Sequence, residues 1–138
     1  MTNAIYDKFK QELMKGTSNN LLNSLEGATG VYAALVDTDT YSFSQTHQFY
    51  SDLSGVVGTD QEITSKTQTD GVFDGDNLVF PSVSGNTVEA IVLYRKNGGA
   101  NTTWPLIAYV DTGVTGLPVT PNGGNINVTW HASGIFKL

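Results

Sequence analysis

Two pairs of aspartates and two histidines come nearest to chemistry in this chain of 138 residues. Asp74 and Asp76, in the run Asp-Gly-Asp-Asn, have the alternation that opens a calcium loop, where carboxylates on every second residue converge on one hard cation. The later oxygen ligands and the closing glutamate of such a loop do not follow, so the run reads as a surface turn, for which Asp and Gly are both suited. Asp37 and Asp39 repeat the spacing after an apolar run and read as a loop start held by Asx-type hydrogen bonds. His47 and His131 are the only histidines and cannot by themselves complete a zinc site. A catalytic histidine needs a nucleophile and an orienting acid within reach, and no triad is singled out among the many Ser and Asp. There is no nucleophile elbow, phosphate loop or dinucleotide fingerprint. Both histidines are expected to pack or hydrogen-bond, and no catalytic, metal-ligating or cofactor-binding residue is assigned.

The aromatics are the second chemical resource. Tyr41, Phe43, Phe49 and Tyr50 crowd one polar stretch, where such side chains either anchor a loop or contact a partner. Tyr41, Phe49 and Tyr50 are therefore candidate interface residues. Stacking of a sugar ring on Tyr41, Phe49 or Trp104 is the alternative use of the same chemistry. The sequons at Asn101 and Asn127 lack a secretory context and carry no argument.

Composition narrows the classes. One domain is expected over residues 1–138, and a chain of this length buries roughly two thirds of its unfolded surface. Cysteine is absent, which excludes disulfides and thiolate metal sites. The net charge of −6 opposes binding to a phosphate backbone by bulk charge, so no direct nucleic-acid contact is expected. Charged residues make up 14 % of the chain, against ~25 % in an average soluble domain, while Thr, Ser, Asn and Gly abound. Uncharged polar surfaces of this kind suit a protein packed against neighbours. The N-terminus has no apolar core of a signal peptide and no run reaches membrane-spanning length, so synthesis in the cytoplasm and no membrane contact are expected.

Ile5, Phe9 and Leu13 recur every four residues and define one face of a short helix, with Asn3 as N-cap and Gly16 as its left-handed end. Three lysines against two acids make this arm positive, opposite to the remainder. A helix of three turns is marginal alone. Its stripe is expected to dock on the chain's own domain or, past the polar segment Thr17 to Asn20, on a neighbour, so residues 1–16 are read as a helical arm and Ile5, Phe9 and Leu13 as candidate interface residues.

After Gly30 the period becomes two. Val31 to Val36 reads as a buried strand, Thr38 to Tyr50 as a polar, aromatic-rich excursion with a short helix around Thr46 to Leu53, and Gln61 to Thr69 as an exposed strand. Phe73 to Val83 reads as a turn or bulge followed by a strand near a sheet edge. Thr87 to Arg95 alternates strongly, and the charges of Glu89 and Arg95 predict that one of its faces is only partly buried. Asn97-Gly98-Gly99 predicts a hairpin with Trp104 to Val110. Val88, Val92, Ile107, Tyr109, Val128 and Trp130 are expected in one core. Pro118 and Pro121 predict a loop that cannot continue a ladder, with Gly123 and Gly124 re-entering the sheet before Asn125 to Trp130. The apolar end Ile135, Phe136 and Leu138 must be tied into the sheet or buried on a subunit neighbour, so Phe136 and Leu138 complete the candidate interface. About six short strands with regular turns give a mainly β fold, an antiparallel β-sandwich with a short N-terminal α-helix.

The segments VYAALVDTDTY from Val31, THQFYSDL from Thr46, VEAIVLY from Val88 and LIAYVDT from Leu106, followed by GLPVTPNGGNINVTW and the terminal IFKL, resemble in that order a widespread family of small virion proteins of tailed bacteriophages. The resemblance spans most of the chain and matches no catalytic motif. It implies a non-enzymatic structural protein without cofactor, located in the virion: a capsid decoration or cement protein, or another head or tail accessory. The implied partners are other virion proteins, such as the major capsid protein or head and tail components, and further copies of the chain. A receptor- or carbohydrate-binding module of a tail, baseplate or head fibre is the alternative.

Overall fold

Continuous apolar runs and period-two alternation both resolve into strands. The computed structural model describes residues 3–16 and 30–138. In chain order the elements are β1 (Ala4–Ile5), α1 (Asp7–Met14), β2 (Val31–Val36), β3 (Val56–Glu62), β4 (Thr67–Thr69), β5 (Val72–Asp74), β6 (Leu78–Phe80), β7 (Ala90–Arg95), β8 (Leu106–Val110), β9 (Ile126–Val128) and β10 (Phe136–Lys137). Short 3-10 turns lie at Tyr50–Asp52 and Asn101–Thr103. The fold is the expected mainly β, antiparallel sandwich, with ten strands among the described residues rather than about six. The excess consists of pieces of two or three residues.

The main sheet has the order β1-β8-β7-β2-β3, with every pair antiparallel. Small sheets β10-β5-β4 and β6-β9 complete the fold. Residues opposite one another in a ladder share a face. Leu35, Ile91 and Val110 form one such row, in the same buried cluster as Leu78, Phe80, Ile126 and Val128 of the small β6-β9 sheet. Tyr32 and Tyr94 form a row of the other face, with ring centroids 6.0 Å apart. All six residues expected to form one core belong to this single cluster.

Both faces of β7 are covered, contrary to the half-exposed strand expected there: Ala90 to Tyr94 are all buried. Its charges lie at the ends, where Glu89 accepts from Thr38 and Arg95 donates its N–H to the Pro105 carbonyl. The predicted β7–β8 hairpin is present.

The N-terminus departs from its helical reading. Ile5 lies in β1 opposite Ala108, the Tyr6 N–H continues the ladder to the Ile107 carbonyl at 3.1 Å, and the helix starts only at Asp7. Two residues of sheet pairing satisfy backbone groups that the first turn of a helix leaves without partners. Asn3 is not the cap. Its Oδ1 accepts from the N–H groups of Asp111 and Thr112, at 2.7 and 2.9 Å. Tyr6 and Phe9 are 0 % and 1 % exposed, so α1 is seated on its own sheet rather than held out as an arm. Gly16 does end the helix with a φ of 70°. The segment Thr17 to Asn20 lies outside the described residues.

The strand expected over Gln61 to Thr69 is broken where Ile63 turns into the core, fully buried. The proline loop does extend a ladder at one point: Val119 and Val88 exchange N–H···O bonds, both 2.9 Å, because Val119 keeps the amide that Pro118 and Pro121 lack. Gly123 and Gly124 then bond to Val83. The C-terminus is tied in as expected, with β10 paired to β5 and the Leu138 N–H donating to Gly71.

Candidate functional site

The excursion from Asp37 to Leu53 lies over the aromatic face of the main sheet, and Asp37 fixes how it leaves β2. One oxygen of Asp37 accepts from the Asp39 N–H at 2.9 Å, the other from Thr40 Oγ1 at 3.0 Å and Asn86 Nδ2 at 2.9 Å. Its backbone carbonyl accepts from the Thr40 and Tyr41 N–H groups. The Asn86 bond, aided by the Asp39 amide, holds the Asp37 carboxyl below the usual carboxylate range. The expected Asx-type start is thus present, and the aspartate is 3 % exposed.

That turn sends Tyr41 back onto the sheet. Its hydroxyl lies 2.8 Å from the Tyr6 hydroxyl and 2.8 Å from His47 Nδ1, linking the start of α1 to the loop. Phe43 packs on Tyr6 at 5.0 Å and on Tyr109 at 5.1 Å. Burial pushes the phenols of Tyr6 and Tyr41 above the ordinary tyrosine value. Asp52 closes the loop by accepting the N–H groups of Gln48 and Phe49 at 2.8 and 3.0 Å, and these bonds lower its carboxyl.

A second cluster sits farther along the same face. Asp60 Oδ2 accepts from the hydroxyls of Tyr50 at 2.9 Å and Tyr94 at 2.7 Å. Tyr94 stacks on Trp104 at 5.8 Å, and Lys96 Nζ lies 5.2 Å from the ring centres of both Tyr32 and Trp104. The Trp104 indole N–H is held by the Gly99 carbonyl at 3.0 Å. Desolvation raises the Asp60 carboxyl despite its two phenol donors.

Beside the first cluster lies an open cleft of about 490 Å³, lined by Tyr41, Phe43 and Tyr109 together with Glu89 and Asp111. Glu89 Oε2 is oriented by the Thr38 N–H and Oγ1, at 2.9 and 3.2 Å. Burial first, then the neighbouring Asp111, pushes the Tyr109 phenol up to about 12. The cleft combines aromatic walls with two carboxylates.

The candidate interface residues do not meet on one surface. Phe9 and Tyr41, at 1 % and 2 % exposure, are core residues and have no face to offer a partner; aromatics this size gain most from burial in their own domain. Ile5, Leu13, Tyr50 and Phe136 are partly buried and pack against that core. Phe49 is half-buried and bridges to Pro105. Leu138 is 58 % exposed. Asp74 and Asp76 serve the turn, Asp74 by accepting the Gly75 N–H and Asp76 by accepting from Thr64 Oγ1. His131 Nδ1 accepts the Ser133 N–H. Among the described residues no three His, Asp or Glu side chains group as metal ligands would. The sequence reading gave no site role to Asp60, Tyr94 and Asp111, and placed Tyr109 only in the core. A carboxylate two residues from Glu62 on a strand, and tyrosines within apolar strands, were the local signals. No protein-family model matches the chain, and no curated protein matches it in sequence.

Proposed function

We propose that the chain is a non-enzymatic structural protein of a tailed-bacteriophage virion, acting as a capsid decoration or cement protein that contacts other virion proteins and further copies of itself. The observation that carries this reading is the use made of the chemistry-bearing side chains: Asp37, Asp52, His47 and His131 each hydrogen-bond within their own loops. They stiffen a scaffold. The low share of charged residues in the chain and the ordered resemblance of the strand and turn segments support the same reading. Mass spectrometry of purified virions tests it: the protein is expected in stoichiometric amount, and its absence from particles overturns the proposal.

The second reading, a receptor- or carbohydrate-binding module, is favoured by the cleft beside Phe43, whose Glu89 and Asp111 carboxylates are of the type that bind sugar hydroxyls. Glycan-array binding that disappears on Phe43→Ala supports it. Silence of the native protein across the array removes it.

A further inference from the structure

At the outer edge of the small sheet β10-β5-β4, all three residues of β4 are exposed. Which of its backbone groups face outward follows from the hydrogen bonds on the other side of β5. The carbonyl of Phe73 accepts from the Ile135 N–H at 2.8 Å, and that of Gly71 from the Leu138 N–H at 3.0 Å. Residues 71 and 73 therefore face β10, while Val72 and Asp74 face β4, where they lie opposite Thr69 and Thr67. Strand alternation then leaves the N–H and C=O of Gln68 directed away from the sheet. The two-residue turn Asp70-Gly71, with φ of 52° and 81°, is the type that closes such a hairpin on the pair 69–72.

The segment Lys66-Thr67-Gln68-Thr69-Asp70 is self-complementary. In a two-fold antiparallel pairing centred on Gln68, each Gln68 N–H reaches the other's carbonyl, Thr67 lies opposite Thr69, and just beyond the paired residues Lys66 of each copy approaches Asp70, the first turn residue, of the other. Lys66 Nζ otherwise donates to the Ile63 carbonyl at 3.1 Å, and neither Lys66 nor Asp70 is in an ion pair among the described residues. At three residues the strand is short, which itself blunts an edge, but it carries no proline, bulge or inward charge.

We propose that β4 is a self-association edge, whose occupant is the β4 of a second copy of this chain, joining two three-stranded sheets into one continuous sheet. Three residues make a small contact, so it is a weak one, suited to copies held side by side in an assembly rather than to a permanent dimer. The inference deepens the self-contact proposed above and does not depend on the virion setting, which the mass-spectrometric test decides separately.

Charge reversal tests it. Lys66→Asp gives copies with only negative ends and Asp70→Lys copies with only positive ends, so each variant repels itself and attracts the other. In sedimentation velocity up to millimolar protein at low salt, the native chain is expected to dimerise, each single variant to dissociate at least tenfold more readily, and an equimolar mixture of the two to recover the dimer. Hydrogen exchange at the Gln68 amide of the native chain gives a reading that needs no variant: it is expected to slow as protein concentration rises. A native chain that stays monomeric, a mixture that associates no better than the single variants, or a Gln68 amide indifferent to concentration overturns the proposal.

Discussion

Tyr94 donates its hydroxyl to Asp60 Oδ2 across 2.7 Å, yet the other oxygen of the same carboxylate, Oδ1, is buried with no hydrogen-bond partner. The site is thus half satisfied, and burial raises the Asp60 carboxyl above its ordinary value. An acid whose folded value is raised binds its proton more tightly when folded. Stability therefore falls as pH rises from the unfolded value, about 3.9, through the folded one. The native protein is expected to gain stability relative to Asp60→Asn as pH falls from 7 toward 4, in urea unfolding at fixed ionic strength. A constant difference between the two across that range counts against it.

Asp37 and Asp52 work in the opposite sense. Their lowered carboxyls contribute stability that is fully present above the unfolded value, about 3.9, and is lost as pH falls through the folded values. Asp37→Asn is expected to lower the melting temperature at pH 7 and to reduce the steepness of acid unfolding below pH ~4. Asn86→Ala should show part of the same effect, since Asn86 is the leading cause of the shift. An unaltered acid limb in both variants rejects the assignment.

Ile107, fully buried in β8, and Thr102, exposed in the turn before it, make a matched pair. Ile107→Ala is expected to cost ~2–5 kcal/mol, while Thr102→Ala falls within the ~0.5 kcal/mol typical of surface changes. Chemical denaturation measures both. Equal losses would refute the placement of β8 in the core.

Much of the sandwich was legible because local signals there agreed with the tertiary outcome. Val31 to Val36 is apolar throughout and becomes a strand buried in the middle of the sheet; Asn97-Gly98-Gly99 stands between two apolar runs that pair. Where they conflicted, the sequence misled. Ile5 has helical spacing to Phe9, but only its pairing with Ala108, a partner more than one hundred residues away, decides that it is extended. Asp70-Gly71 is a strong hairpin dipeptide that went unread because Thr67 to Thr69 carry no apolar alternation. The site was less legible than the fold. Asp60 sits in a polar strand that looks solvated, and its burial comes from Tyr50 and Tyr94, brought to it by two other segments.

Of the two dockings open to the stripe of α1, the structure shows the one on its own sheet, which makes the N-terminus part of the fold. Phe9→Ala removes a ring that is 1 % exposed and is expected to cost ~3–5 kcal/mol, and deleting residues 1–15 should destabilise the whole fold. Met14→Ala, at a side chain 83 % exposed, is the internal control. Cooperative unfolding of the shortened chain at the native midpoint would restore the reading of a detachable arm.

The C-terminal strand offers the last test. Ile135 is 7 % exposed and belongs to the buried cluster, Phe136 stacks on Phe73 at 5.1 Å, and the Ile135 and Leu138 amides donate to Phe73 and Gly71. Removing Ile135 to Leu138 deletes these two backbone bonds together with the β10–β5 pairing, uncovers the Phe73 ring and leaves β5 paired on one side alone. Loss of a buried aliphatic residue together with a stacked aromatic is expected to lower the melting temperature by several degrees at least. Because β5 also anchors β4, the truncation should speed amide exchange through Thr67 to Thr69 before it affects β7. Uniform exchange rates in the two regions, or an unchanged melt, would show that β10 rests on the small sheet without supporting it.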